Sequence, residues 1–331
     1  GFRVFLYTEF DTIKDLVKSF TEAASDKQAY PGAAALLRSL RQTSNHRICI
    51  LSGSPSQMRT VLTAKLALDG IEFDEFILKN NLHNLMRLRF RALRSQVPYK
   101  LAALLESRGG IIGDASETLF GDDSEADGAI YSLYGDIMAG TIDSDELRRT
   151  LEAARAYPDQ IKRTMALAEH VHGTQDCVQR ILIHLDKRSP TDRFSHFGKR
   201  LVPIHNYLQA ALIMYQDELI SCDQVLFVIS EMLASDEYEV DTLANSLQDL
   251  LVRGRLQASC CDTLIEEIRV SARGAASKEQ ERTLESIANR FAHRASELGS
   301  SPPLEWPDEN PNLDYVKLID HEHNRKRSES R

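Results

Sequence analysis

Nothing in this 331-residue chain is apolar for a bilayer's thickness; polar residues interrupt every hydrophobic run and the mean hydropathy is −0.33, which excludes a membrane-spanning helix. A basic excess is missing too. Forty Lys and Arg stand against 49 Asp and Glu, a net charge of −9 that opposes attraction to nucleic acid or to an anionic bilayer. The five cysteines, Cys49, Cys177, Cys222, Cys260 and Cys261, are odd in number and show no CxxC spacing. That argues against a disulfide framework or a zinc site and predicts a reducing, cytoplasmic compartment. The chain starts at Gly1, without the basic-then-apolar plan of a signal peptide, as expected of a truncated or processed sequence.

What the chain does have is 42% hydrophobic residues, enough to fill a real core. In the first two-thirds, β-rich runs alternate with helical stretches, a pattern that favours a parallel sheet covered by helices. The expected strands are Arg3–Tyr7, Arg47–Leu51, Phe73–Leu78, Glu117–Phe120, Arg180–His184 and Leu201–Ile204. Between them the spacing predicts helices over Thr12–Ala24, Gly32–Arg41, Ser56–Leu68, Tyr99–Glu106, Ala126–Met138 and Ser144–Tyr157. From residue 206 to 298 strand signals stop, and apolar residues three and four apart predict a helical C-terminal lobe. Residues 299–331, rich in proline and then charge, are expected to form a flexible tail.

Three segments could carry chemistry. The first runs from an apolar strand into Leu51-Ser52-Gly53-Ser54-Pro55, with Ser54 expected as the N-cap and Pro55 as the first residue of the next helix. Such a corner presents unpaired N–H groups and a hydroxyl to an anion, or is a plain serine cap. In the second, Pro98 is expected to start a helix with Lys100 in its first turn, where a cation opposes the helix dipole and an anion would relieve it. The alternative is a lysine that snorkels into solvent. The third, Gly121-Asp122-Asp123-Ser124-Glu125-Ala126-Asp127, packs four carboxylates into six residues. Mutual repulsion there calls for a cation, and oxygen ligands at a strand end suit Mg²⁺; an acidic first helical turn is the other reading. His184 and His205 end two late strands, as cleft-lining or as structural residues.

The order strand–Ser52, helix–Lys100, strand–Gly121-Asp122-Asp123 resembles motifs of the haloacid dehalogenase (HAD) phosphohydrolase superfamily. More narrowly, Tyr7-Thr8-Glu9-Phe10-Asp11-Thr12, Leu51–Pro55, Tyr99–Ala103, Leu119–Asp127 and Pro203–Ala211 are similar to a bacterial branch related to the phosphatidate phosphatase catalytic-domain family of the actin-patch-associated type. The resemblance implies a HAD-like Rossmannoid domain over residues 1–205, in which Ser52 and Gly53 hold a phosphoryl group and Lys100 neutralises it. It implies Mg²⁺ held by Asp122 and Asp123 with Asp127 in support, an aspartyl-phosphate intermediate, and a phosphomonoester substrate, with a phospholipid headgroup as one candidate.

The chain departs from that pattern at the first motif. Aligned on Thr8-Glu9-Phe10-Asp11, the attacking aspartate falls before Gly1 and Phe2 takes the place of the second aspartate. Glu9 and Asp11 are a pair two apart that would mimic the motif in place, or the acidic start of a helix. Either a genuine motif precedes Gly1, or the chain is a noncatalytic phospholigand-binding or scaffolding relative whose helical lobe supplies a surface for a protein partner.

Overall fold

The computed structural model describes residues 2–8, 30–42, 46–79, 92–110, 115–123, 126–171, 173, 176–298 and 312–329. Six strands, β1 (Phe2–Thr8), β2 (His46–Pro55), β3 (Glu75–Lys79), β4 (Ser116–Asp122), β5 (Val178–His184) and β6 (Leu201–Ile204), form one parallel sheet. Their order is β3-β2-β1-β4-β5-β6, so the chain winds outward from β1 in one direction, returns, and winds outward in the other. This is a doubly wound α/β sheet, and the winding reverses between β1 and β4, the place where sheets of this kind generally bind ligands, outside the carboxyl ends of the strands. All six strands coincide with the β-rich runs of the sequence, extended by a residue or more except at β6 and at the start of β3.

Both faces of the sheet are covered. Ile48 and Ile50 of β2, Phe120 of β4, Leu182 of β5 and Val202 and Ile204 of β6 belong to one buried cluster. Their alternates Cys49, Leu51, Leu119, Ile181, Ile183 and Leu201 belong to another. The period of two along a strand thus feeds two cores from one sheet. The second face is packed by α3 (Ala92–Gly109), α4 (Asp127–Ala139), α5 (Ser144–Ala153) and α6 (Pro158–Val171). The first face takes α1 (Ala33–Gln42) and α2 (Arg59–Leu68), and also α7 (Tyr207–Gln216), α8 (Cys222–Leu233), α9 (Val240–Val252), α10 (Ala258–Arg273) and α11 (Lys278–Ser296). The helices after residue 205 therefore share a core with the sheet: Leu208, Leu212, Val225, Leu247, Leu264 and Phe291 lie in the same cluster as Ile50 and Val202. Among the described residues, no helix is long and apolar enough to cross a membrane.

Four local expectations change. The helix expected over Ser144–Tyr157 ends at Ala153, because Arg155 takes a left-handed backbone (φ 56°), and Pro158 then opens α6, a helix the sequence pattern did not predict. Pro98 does not start a helix; it lies inside α3, which begins at Ala92, so Lys100 is not in a first turn. Ser54 and Pro55 belong to β2, and a 3₁₀ turn, Ser56–Met58, leads into α2 with no side-chain cap. The expected tail contains α12 (Tyr315–Glu329), which packs on α4 and α5, with Tyr315 and Ile319 buried. Residues 299–311 and the helix expected at Thr12–Ala24 lie outside the described residues.

Candidate functional site

The carboxyl ends of β2, β1 and β4 meet at the reversal of winding. Thr8, the last residue of β1, pairs with Ser52 of β2. On the other side, Phe5 pairs with Leu119, and continuing that register three residues brings Thr8 level with Asp122. Ser52 and Asp122 thus flank the end of β1, two strand spacings or roughly 10 Å apart. Phe2 pairs with His46 and Ser116 at the opposite end of the sheet, so it does not occupy the second-aspartate place expected for it. Glu9 and Asp11 lie outside the described residues.

Ser52 is fully buried. Its hydroxyl donates to the Ser54 hydroxyl (2.9 Å) and accepts the Ser54 N–H (3.2 Å), so Ser54 supports Ser52 where it was expected to cap a helix. Gly53 lies in the register shift between Ser52 and Pro55, where β2 turns away from β3. The Tyr99 hydroxyl, from α3, donates to the Ser52 carbonyl at 3.0 Å.

Lys100, next in α3, is buried rather than snorkelling. Its Nζ pairs with Asp127 Oδ1, and both side chains are wholly inaccessible. Removing two charges from water costs several kcal/mol each, so the pair stands only because the partners are well placed. Asp127 Oδ2 also accepts the Asp122 N–H at 3.3 Å. Gly121 makes that approach feasible, since a Cβ there would lie 2.5 Å from Asp127 Oδ2. Ser52, Tyr99, Lys100, Asp127 and Asp122 therefore form one continuous run of contacts from β2 to β4.

Asp123 faces elsewhere. Each of its oxygens accepts a main-chain N–H, from Lys187 at 2.8 Å and Ser189 at 2.9 Å, which ties the turn after β5 to the end of β4. Asp122 is partly buried, and its charge pushes up the hydroxyl pKa values of Tyr30 and Tyr207, behind the larger effect of burial. His184, paired in register with Asp122, is held below its ordinary pKa chiefly by burial, and is therefore neutral near pH 7. Its ring contacts those of Tyr30 (4.5 Å between centroids) and Tyr207 (5.4 Å). His205 turns its main chain to that site, and its N–H is taken by Gln209 at 2.7 Å.

Among the described residues, no three His, Cys, Asp or Glu side chains are grouped to hold a metal ion. The donor chemistry fits a sparser arrangement, because Mg²⁺ commonly keeps its waters and takes one or two carboxylates plus phosphate oxygens. Asp122 suits that part, whereas Asp127 serves Lys100 and Asp123 serves the β5 turn. Sequence reasoning missed Tyr30, Tyr207 and Asp186 at this edge. The chain order carried one cue, since Tyr207 opens α7 directly after β6 and its N-cap Asn206. Compared with known proteins, the chain matches no family model, no curated protein and no solved structure.

Proposed function

We propose that the chain binds a phosphoryl group at the reversal of winding between β1 and β4 and is a Mg²⁺-dependent phosphomonoester hydrolase of the HAD type. The observation that carries this reading is the buried Lys100–Asp127 pair, joined through the Asp122 N–H to one flank of that place and through Tyr99 to Ser52 on the other. In this reading Ser52 and the Gly53 main chain hold phosphoryl oxygens, and the buried Lys100 charge offsets theirs from beneath. Asp122 would hold Mg²⁺, which lowers the charge repulsion against an anionic nucleophile. Asp127 orients Lys100. The attacking carboxylate is not assigned: the resemblance sets it before Gly1, but Phe2 lies at the end of the sheet away from Ser52, so the register of β1 speaks against that placement, and Glu9 and Asp11, the alternative pair, lie outside the described residues.

A second reading, a noncatalytic phospholigand-binding or scaffolding protein, is favoured by one observation. Asp123 and Asp127 both have structural duties, to the β5 turn and to Lys100, that hold without any reaction. Turnover of p-nitrophenyl phosphate with and without Mg²⁺, in the parent and in Asp122→Asn, separates the two. The hydrolase reading expects Mg²⁺-dependent turnover that Asp122→Asn largely abolishes, and turnover indifferent to that change would defeat it. Phosphate binding without turnover would establish the second reading.

A further inference from the structure

The last helix, α12, rests on little apolar surface. Tyr315, Ile319 and Glu322 are its buried side chains among the described residues, and its ties to the rest of the molecule are largely polar. The Tyr315 hydroxyl donates to Asp136 of α4, and Glu322 pairs with Arg193. A helix held in this way belongs to the low-stability end of a fold and can leave while the sheet stays intact.

Between α12, the start of α4 and a 3₁₀ turn, Thr191–Phe197, lies a cavity of about 680 Å³. His196 of the turn and His321 of α12 line it from two of its walls, and the His196 ring lies against Phe197 with centroids 4.1 Å apart. The charges around these imidazoles are balanced. The turn contributes Asp192 and Arg193, and α12 contributes Asp314, Lys317, Glu322 and Arg325. The start of α4 puts Ala126, Gly128 and Ala129 on the cavity, and its Asp127 is taken by Lys100. Asp320, beside His321, is exposed. Glu322 already serves Arg193 and, at 2.9 Å, Arg325, while Asp314 holds Lys317 at 2.8 Å. Two added imidazolium charges would therefore leave the contact with a positive excess in a partly enclosed space, where like charges repel more than in open water.

His196 is held below its ordinary pKa first by burial and then by His321 and Arg193, with Glu322 opposing. His321 travels with α12, so undocking the helix relieves that repulsion. A group harder to protonate in the docked state than in the released one favours release as the pH falls.

We propose that α12 is an acid-released strap: protonation of His196 and His321 sets like charges across its contact with the 3₁₀ turn, and the helix leaves α4 while the sheet remains folded. Release uncovers Phe194, Phe197 and Ala129 on the cavity wall.

The test is amide hydrogen exchange of the full chain at pH 7.5 and pH 5.5, with each rate corrected for its intrinsic pH dependence. In α12 the opening equilibrium is expected to rise about tenfold at the lower pH, the size of one pKa unit of linkage, with β2, β4 and β5 unchanged. The double variant His196→Gln with His321→Gln should lose that rise. His321→Lys keeps a cation at both pH values and should loosen α12 already at pH 7.5. Equal protection of α12 at the two pH values in the parent, or a rise that persists in the double variant, would overturn the proposal. So would a rise shared equally by the sheet, which would mark global acid unfolding. Tyr315→Phe serves as the reference for an undocked helix, and a pH response in α12 larger than its effect would also count against a local release.

Discussion

At the scale of single residues, the decisive feature is a wholly buried lysine paired with a wholly buried aspartate. Replacing Lys100 by Met leaves the Asp127 charge buried without its cation, a change expected to cost about 3–5 kcal/mol of stability, measured by urea denaturation. The double variant Lys100→Met with Asp127→Leu removes both charges and should recover most of that loss, because an apolar pair avoids the desolvation penalty. Phosphate binding should stay absent in both variants. A double variant that regained stability together with phosphate affinity would show that Lys100 is purely structural. Chain order suggested that Lys100 belongs near Asp122 and Asp127, yet its setting was misjudged. Helix position put Lys100 in a first turn, meeting an anion or snorkelling into solvent, whereas α3 begins earlier and carries it into the interior. Local periodicity says nothing about a partner 27 residues away.

At the scale of elements, α12 is the clearest departure from expectation. Its composition is polar, and a polar helix is poorly distinguished from a solvated tail until a partner covers its few apolar residues. The partner is α4. Tyr315 is buried and its hydroxyl donates to Asp136, which Arg200 also contacts at 3.1 Å, and Arg193 pairs with Glu322 further along. Burial holds the Asp136 carboxyl above its ordinary pKa, which marks how much this small network relies on its donors. Tyr315→Phe should therefore destabilise by about 1–2 kcal/mol in thermal or denaturant unfolding, and should speed hydrogen exchange in α12 ahead of the sheet. An unchanged midpoint with unchanged exchange would mean that the helix contributes nothing to the docked state. The strands, by contrast, were legible throughout, since β-branched and aromatic runs bounded by turn residues have few other solutions.

For the whole molecule, one sheet serves two cores, and the helices beyond residue 205 complete one of them. A fragment of residues 1–205 would expose Ile50, Leu182, Val202 and Ile204, and is expected to lack cooperative unfolding by circular dichroism; a folded, soluble fragment would make the lobe a separate domain. Acid should weaken the intact chain. His46, His184, His196 and His205 are all held below their ordinary pKa, in each case chiefly by burial. Below about pH 6.5 the unfolded chain then binds more protons than the folded one. Stability is full above that value and falls as the pH drops toward the folded-state pKa values. The urea midpoint should thus be flat between about pH 7 and 8 and decline by about pH 5.5. Readable from the chain alone were the alternation of strands and helices, the helical C-terminal stretch and the placing of Ser52 and Asp122 toward the carboxyl ends of strands, because each depends on local periodicity. Folding in three dimensions decided that Lys100 pairs with Asp127, that Asp123 anchors the turn after β5, that Tyr30 meets His184 and Tyr207, and that α12 docks on α4. Those outcomes depend on which distant groups share a low-dielectric interior, where a charge or polar group must find its partner across the fold.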